Sequence, residues 1–207
     1  MKTNTILTFL TTLCLSAAAQ ANSNGCNTDT PGWGSTLGTV TRGNERTVSG
    51  NGITQIWSDA VTAAHCDKAT FNGGTEGDFN ADCRSNPDHP GDVFSWCAVV
   101  RFKDELCPAP WRVPTKQDFV DLHKALGGTG EDGAGDIEPY FSVWGATYNG
   151  FSGASGTLGT HGTFSLYWAQ TESSPTIGHK LHLFSSGLIY SHSGYDKNGG
   201  FSVRCVR

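Results

Sequence analysis

Along residues 115–128 the apolar side chains Phe119, Leu122 and Leu126 recur at i, i+3 and i+7, the spacing of one helix face. Thr115 stands where an N-cap belongs, and Asp118 three residues later completes a capping-box pattern with Asp in place of Glu. Pro108, Pro110 and Pro114 keep the approach extended, and Gly127-Gly128 supplies a left-handed stop. This spacing predicts one short amphipathic helix. Elsewhere the period is two. Residues 47–57 (TVSGNGITQIW) read as a hairpin around Gly50-Asn51-Gly52. Three short strands are predicted over 166–172, 180–184 and 188–192, the last two joined by Ser185-Ser186-Gly187. A turn over 195–200 leads to a final strand, with Phe201, Val203 and Cys205 on one face.

Between these elements the pattern weakens. Residues 58–66 are expected to form a helical turn with Trp57, Val61 and Ala64 together. Residues 93–102 suit a buried strand or a short helix. Residues 67–92 are polar, as are 129–136, and 150–163 read as a long surface loop. A loop as long as 67–92 is unusual unless stapled or functional.

Composition adds compartment. Lys2, the apolar run 6–19 and Ala19-Gln20-Ala21 match a cleavable signal peptide over 1–21. The run is too short for a membrane span. Residues 22–39 would form an N-terminal arm and 40–207 a single domain. The net charge of −5 disfavours nucleic acid and anionic lipid as partners. Once Cys14 leaves with the signal, Cys26, Cys66, Cys83, Cys97, Cys107 and Cys205 remain. An even count in an exported chain favours three disulfides, and the absence of C-x-x-C disfavours a zinc ribbon.

Candidate chemistry is sparse. Residues 61–66 (VTAAHC) imitate the catalytic-histidine motif of chymotrypsin-like proteases, but no GDSGG-type nucleophile segment follows His65. Asp78-x-Asn80-x-Asp82 has calcium-loop spacing, yet Cys83 and His89 occupy the glycine and glutamate positions of an EF-hand. A structural calcium ion is the one cofactor worth testing, and no metal-site residues are assigned. His179 and His182 face opposite sides of a strand, so with His192 they read as solvated histidines rather than a metal site. Glu131, Asp132, Asp136 and Glu138 lie in a glycine-rich loop without the apolar surroundings of a general acid. No catalytic residue is assigned, and the chain does not read as an enzyme.

The aromatic residues carry more. A saccharide site pairs flat rings with directional polar groups. Trp144, Tyr148, Gln170, Glu172, Tyr190, His192, Tyr195 and Asp196 supply both in the C-terminal half, while Trp168 reads as core.

Three segments together resemble a known family: QIWSDAV at 55–61, FSWCAVVRFKDELCPAPWRVPTKQDF at 94–119, and YWAQTE at 167–172 followed by GFSVRCVR at 200–207. They are similar to the Fibrobacter succinogenes major paralogous domain, a module of exported and cell-surface bacterial proteins. The resemblance covers about residues 40–207 and implies an α+β, C-type lectin-like fold: a short helix packed on antiparallel strands, with long disulfide-stapled loops. The calcium–sugar motifs of true C-type lectins are missing, since Tyr140 follows Glu138-Pro139 and residues 57–59 read Trp-Ser-Asp. In that arrangement Cys107 at the helix entry is expected to pair with Cys205 in the final strand. The other four would form two bridges, Cys83–Cys97 being favoured and the alternatives left open. The expected function is a secreted or cell-surface, non-catalytic recognition or adhesion module that binds a glycan or protein through its late loops. The alternative is a structural subunit that self-associates through the same surface.

Overall fold

The computed structural model describes residues 25–27, 35–67 and 70–207. The expected signal peptide lies outside the described residues, as does most of the expected arm. The main strands are β1 (Glu45–Gly50), β2 (Ile53–Ala60), β3 (Cys83–Arg84), β4 (Val93–Ser95), β5 (Phe151–Ser152), β6 (Phe164–Glu172), β7 (Ile177–Phe184), β8 (Leu188–Asp196), β9 (Gly200–Phe201) and β10 (Arg204–Val206). The helices are α1 (Trp96–Arg101), α2 (Lys103–Leu106), α3 (Lys116–Ala125) and α4 (Glu138–Ser142). The architecture is mixed α+β and dominated by antiparallel strands. No helix among the described residues is long and apolar enough to cross a membrane.

The hairpin β1–β2 turns at Asn51-Gly52, both with positive φ, as a tight two-residue turn requires. β10 returns from the far end of the sequence to pair with β2, Arg204 opposite Ala60 and Val206 opposite Trp57. Residues 58–60 therefore extend β2, and only Ala64–Cys66 form a helical turn. The expected helix over 58–66 fails because Asp59 and Ala60 find strand partners in Asn44 and Arg204. Residues 93–102 form both expected alternatives in succession, β4 and then α1.

α3 forms where expected. The Thr115 side chain accepts from the Asp118 N–H, the Asp118 carboxylate accepts from the Thr115 N–H, and Gly127 has φ 95° just past the end. Phe119 and Leu122 are fully buried, whereas Leu126 caps the helix half-buried. This face meets Trp57, Trp144, Tyr167, Leu181, Leu183 and Ile189 in one apolar cluster. Trp57 stacks on Phe119 at 5.6 Å between ring centres and meets Trp144 edge-on at 5.5 Å, contacts worth about 1 kcal/mol each beyond area burial. Gly50 leaves room for the helix end: a Cβ there would stand 2.1 Å from the Ala125 carbonyl oxygen.

A second cluster, around Trp96, Phe94, Trp168 and Phe201, contains the six cysteines of the described residues. The bridges are Cys26–Cys97, Cys66–Cys83 and Cys107–Cys205. Cys107–Cys205 is as expected, but the favoured Cys83–Cys97 is not formed. Cys83 pairs with Phe94 in the β3–β4 register, which leaves Cys97 beyond the ladder, on α1. Cys97 meets Cys26, which is held by a bridge to Phe79. Cys66 closes the 67–82 loop onto β3, so that long polar segment is stapled.

Between the two clusters lies the sheet β6–β7–β8, with Gly133–Ala134 at its far edge. Trp168 and Leu166 face the disulfide cluster, while Tyr167 and Ala169 face α3.

Candidate functional site

The predicted site residues are distributed by the register of β6, β7 and β8. Two irregularities matter. Between Lys180 and His182 of β7, partners Ser193 and Tyr190 are three apart, so β8 bulges at Ser191-His192. Between Trp168 and Glu172 of β6 the register also shifts. The first bulge carries Tyr190, Ser193 and Tyr195 to one face, opposite His182, Lys180 and Gly178. His192 turns to the α3 side instead, where Nδ1 lies 3.2 Å from an Asp132 carboxylate oxygen and from the Ser191 hydroxyl. His192 is thus separated from Tyr190 and Tyr195, contrary to the expectation that the three share a face.

The face bearing Tyr190 and Tyr195 carries a strip made of two groups of rings. His182 stacks on Phe184 at 3.7 Å, and Phe164 meets both edge-on at 5.1 and 5.0 Å. Tyr190 packs edge-on against Phe184 at 5.1 Å. At the other end Tyr195 meets Phe201 at 5.0 Å and Phe151 at 6.2 Å. Lys180 joins the two ends. Its Nζ donates to the Ser193 hydroxyl at 2.9 Å and to His182 Nδ1 at 3.3 Å, and lies 5.9 Å from the centre of the Tyr195 ring.

Burial shapes this chemistry. Lys180 is 3% exposed, and desolvation pushes its pKa down to about 8, against the opposing pull of Asp132. Desolvation, reinforced by the Lys180 charge, pushes His182 down to about 3. His182 is therefore neutral at pH 7 and accepts from Lys180 at Nδ1, which places its proton on Nε2. Among the described residues that buried Nε2 has no hydrogen-bond partner. His182 is a ring of this strip rather than the solvated histidine expected, and the expectation fails likewise for His179, whose half-buried ring bonds the His192 carbonyl at 2.7 Å.

Tyr195 is 36% exposed and, with Val143, one of two large hydrophobic side chains that stand exposed among the described residues. Tyr190 is half-buried. Asp196 is exposed at the end of β8, and Glu172 is exposed opposite Gly178, where its carboxylate pairs with Lys197 Nζ. Gln170 is directed elsewhere, its Nε2 donating to the Val113 carbonyl at 2.7 Å. Tyr148 is half-buried and packs on Phe141 at 4.6 Å, away from the strip's ring contacts.

Trp144 requires a correction. It is 0% exposed and enclosed by Trp57, Tyr140, Tyr167 and the Arg204 guanidinium, so it offers no stacking surface. Trp168 is core, as read from the sequence. The residues that sequence reasoning missed are Lys180, His182, Phe184 and Ser193. A period of two starting at Tyr190 and crossing to β7 points to Lys180, His182 and Phe184, but the bulge in β8 that adds Ser193 leaves no sequence mark.

The other candidates remain apart. His65 bonds the Thr36 carbonyl through Nδ1 at 2.5 Å. Asp82 is buried and accepts from the backbone N–H groups of Asn72 and Cys83, while Asp78 is exposed. No family model, curated protein or solved structure matches this chain.

Proposed function

We propose that this chain is an exported, non-catalytic recognition module that binds a glycan across the Tyr190–Lys180–Tyr195 strip. The observation that carries the reading is the exposed Tyr195 ring, packed edge-on against Phe201 and Phe151 and flanked by Ser193, Glu172 and Asp196. A pyranose presents an apolar face to such a ring and needs directional partners for its hydroxyls. Three disulfides fit folding in an oxidising compartment. The same features favour the C-type lectin-like arrangement and membership of the Fibrobacter succinogenes major paralogous family. α3 packs on the side of the sheet opposite the strip, and Cys107–Cys205 ties the helix entry to the last strand.

The test is a glycan array with the purified chain, followed by titration of the best ligand against Tyr195→Ala and Tyr190→Ala. A central ring in such a site carries about 2 kcal/mol, so each variant should lose at least about tenfold in affinity. Size-exclusion chromatography should show a monomer at all concentrations. Normal binding by both variants, or concentration-dependent polymers with no glycan retained, would refute the reading, and the polymers would point to self-association.

A further inference from the structure

Behind α3, at the open end of the β1–β2–β10 sheet, a buried guanidinium lacks a full set of partners. Arg204 is 1% exposed, and its guanidinium carbon lies 4.0 Å from the centre of the Trp144 ring. Nε donates to the Ser58 carbonyl at 2.5 Å. Among the described residues Nη2 has no hydrogen-bond partner. The Asp59 carboxylate oxygen 3.9 Å away is beyond hydrogen-bonding reach. Asp59 is already committed, accepting from the Asn44 N–H and side-chain amide at 2.9 Å each and from Arg46 Nε at 3.1 Å. Burial pushes Arg204 down to about 10, with Tyr167 and Asp59 pulling the other way, so it stays protonated at neutral pH.

Arg204 and Arg46 both line a cavity of about 170 Å³, with Asp59, Ala60, Pro90 and Tyr167 among its other walls. Two guanidinium groups therefore meet one carboxylate in a partly apolar recess. A buried cation with an unused donor is costly unless a counter-charge completes it.

We propose that this cavity binds a carboxylate group, carried either by a small organic acid or by a polypeptide. A carboxylate is planar and matches the donor fork of a guanidinium, which a spherical halide does not. The walls of Ala60, Pro90 and the Tyr167 ring favour a short hydrocarbon tail over a strongly hydrated sulfate. The site is distinct from the aromatic strip, because Tyr167 lies on the α3 side of the sheet and Lys180 on the other. Its fate is therefore independent of the glycan reading.

The experiment is calorimetric titration of the full chain with sodium propionate, using propionamide, sodium chloride and sodium sulfate as controls at equal ionic strength. Propionate should bind saturably and the three controls should not. Arg46→Gln, at a half-exposed side chain, should weaken propionate at least threefold, and Arg204→Met should abolish it. N-acetylglycine and N-acetylglutamate amide distinguish the sources. Binding at least tenfold tighter than propionate identifies a peptide terminus or an acidic side chain, and weaker binding of both identifies a free acid. Equal responses to propionate and propionamide, sulfate binding as tight as propionate, or an unchanged affinity in Arg46→Gln would each overturn the proposal. Those outcomes decide it even if Arg204→Met does not fold.

Discussion

Replacing Asp118 by alanine removes the carboxylate that ties the first turn of α3 to Arg112 and Thr115. Its oxygens accept from Arg112 Nη1 and Nη2 at 2.6 and 2.7 Å, from the Thr115 N–H at 2.7 Å and from the Thr115 hydroxyl at 2.6 Å. Arg112 in turn pairs its backbone with Val206 of β10. Losing the reciprocal cap costs about 1 kcal/mol. The fork to Arg112 is charge-assisted, but that side chain is half exposed, so solvent screening limits its share to about 1 kcal/mol. The expected total is about 2 kcal/mol, a fall in Tm of roughly 4–8 °C for a chain of this size. Burial raises the Asp118 pKa, but Arg112 and Thr115 outweigh it and hold the group below its ordinary 3.8. A depressed carboxylate stabilises the fold above its unfolded pKa and loses that contribution as pH falls through the folded value. Wild type and Asp118→Asn should therefore differ in urea unfolding at pH 7 and converge below pH 3.8. A double-mutant cycle with Arg112→Ala should return a coupling near 1 kcal/mol. A loss below about 0.5 kcal/mol in Asp118→Ala, or a gap from Asp118→Asn that does not narrow as pH falls below 3.8, would show that the cap and the fork do not hold α3 in place.

Removing the Cys107–Cys205 bridge as C107A/C205A frees a span of 98 residues, which chain entropy puts at about 4–5 kcal/mol. Chemical denaturation should register the loss, and a change under about 1 kcal/mol would mean that β10 is held without the bridge. Asp92, buried beside the Ala63 N–H at 2.8 Å, has its pKa pushed up to about 6 by desolvation, against hydrogen bonds from Ala63 and Asn86. A raised folded pKa means that its contribution is full below 3.8 and is lost as pH rises through 6. Wild type should therefore gain about 1 kcal/mol on Asp92→Asn between pH 7 and pH 5. An unchanged difference across that range refutes the assignment. Taking the difference also cancels His182, whose lowered pKa destabilises the fold on acidification below 6.5.

The elements legible in the sequence are those whose signals are local. α3 carries its cap, stripe and stop within fourteen residues, and the hairpins at Asn51-Gly52 and Gly187 carry their turns. Ser58–Ala60 misled because a short apolar period fits either helix or strand. The outcome was decided by β10, far away in sequence, which supplied strand partners. The cysteine pairing of 26, 66, 83 and 97 depends on how loops cross, which spacing does not encode. At the candidate site the face of each side chain follows from a period of two only where the ladder is regular. One extra residue in β8 separated His192 from Tyr190 and put Tyr195 on the face of Tyr190 instead, and the shift in β6 accompanies a Gln170 side chain directed to Val113. Trp144 was misread because most of its surroundings come from three distant segments rather than from its neighbours.

β10 also sets the order in which the molecule can assemble. Residues 200–207 pair with β2, β4 and the Arg112 backbone, and Ser202 bridges to β6. The sheet β1–β2–β10 and the sheet containing β3, β4, β5 and β9 therefore each take a strand from this segment. Until it docks, the hairpin β1–β2 lacks its third strand and Cys107 lacks its partner. A chain built this way completes the β1–β2–β10 sheet and the Cys107–Cys205 bridge only by long-range closure. Such long-range closure favours slow folding over early stability.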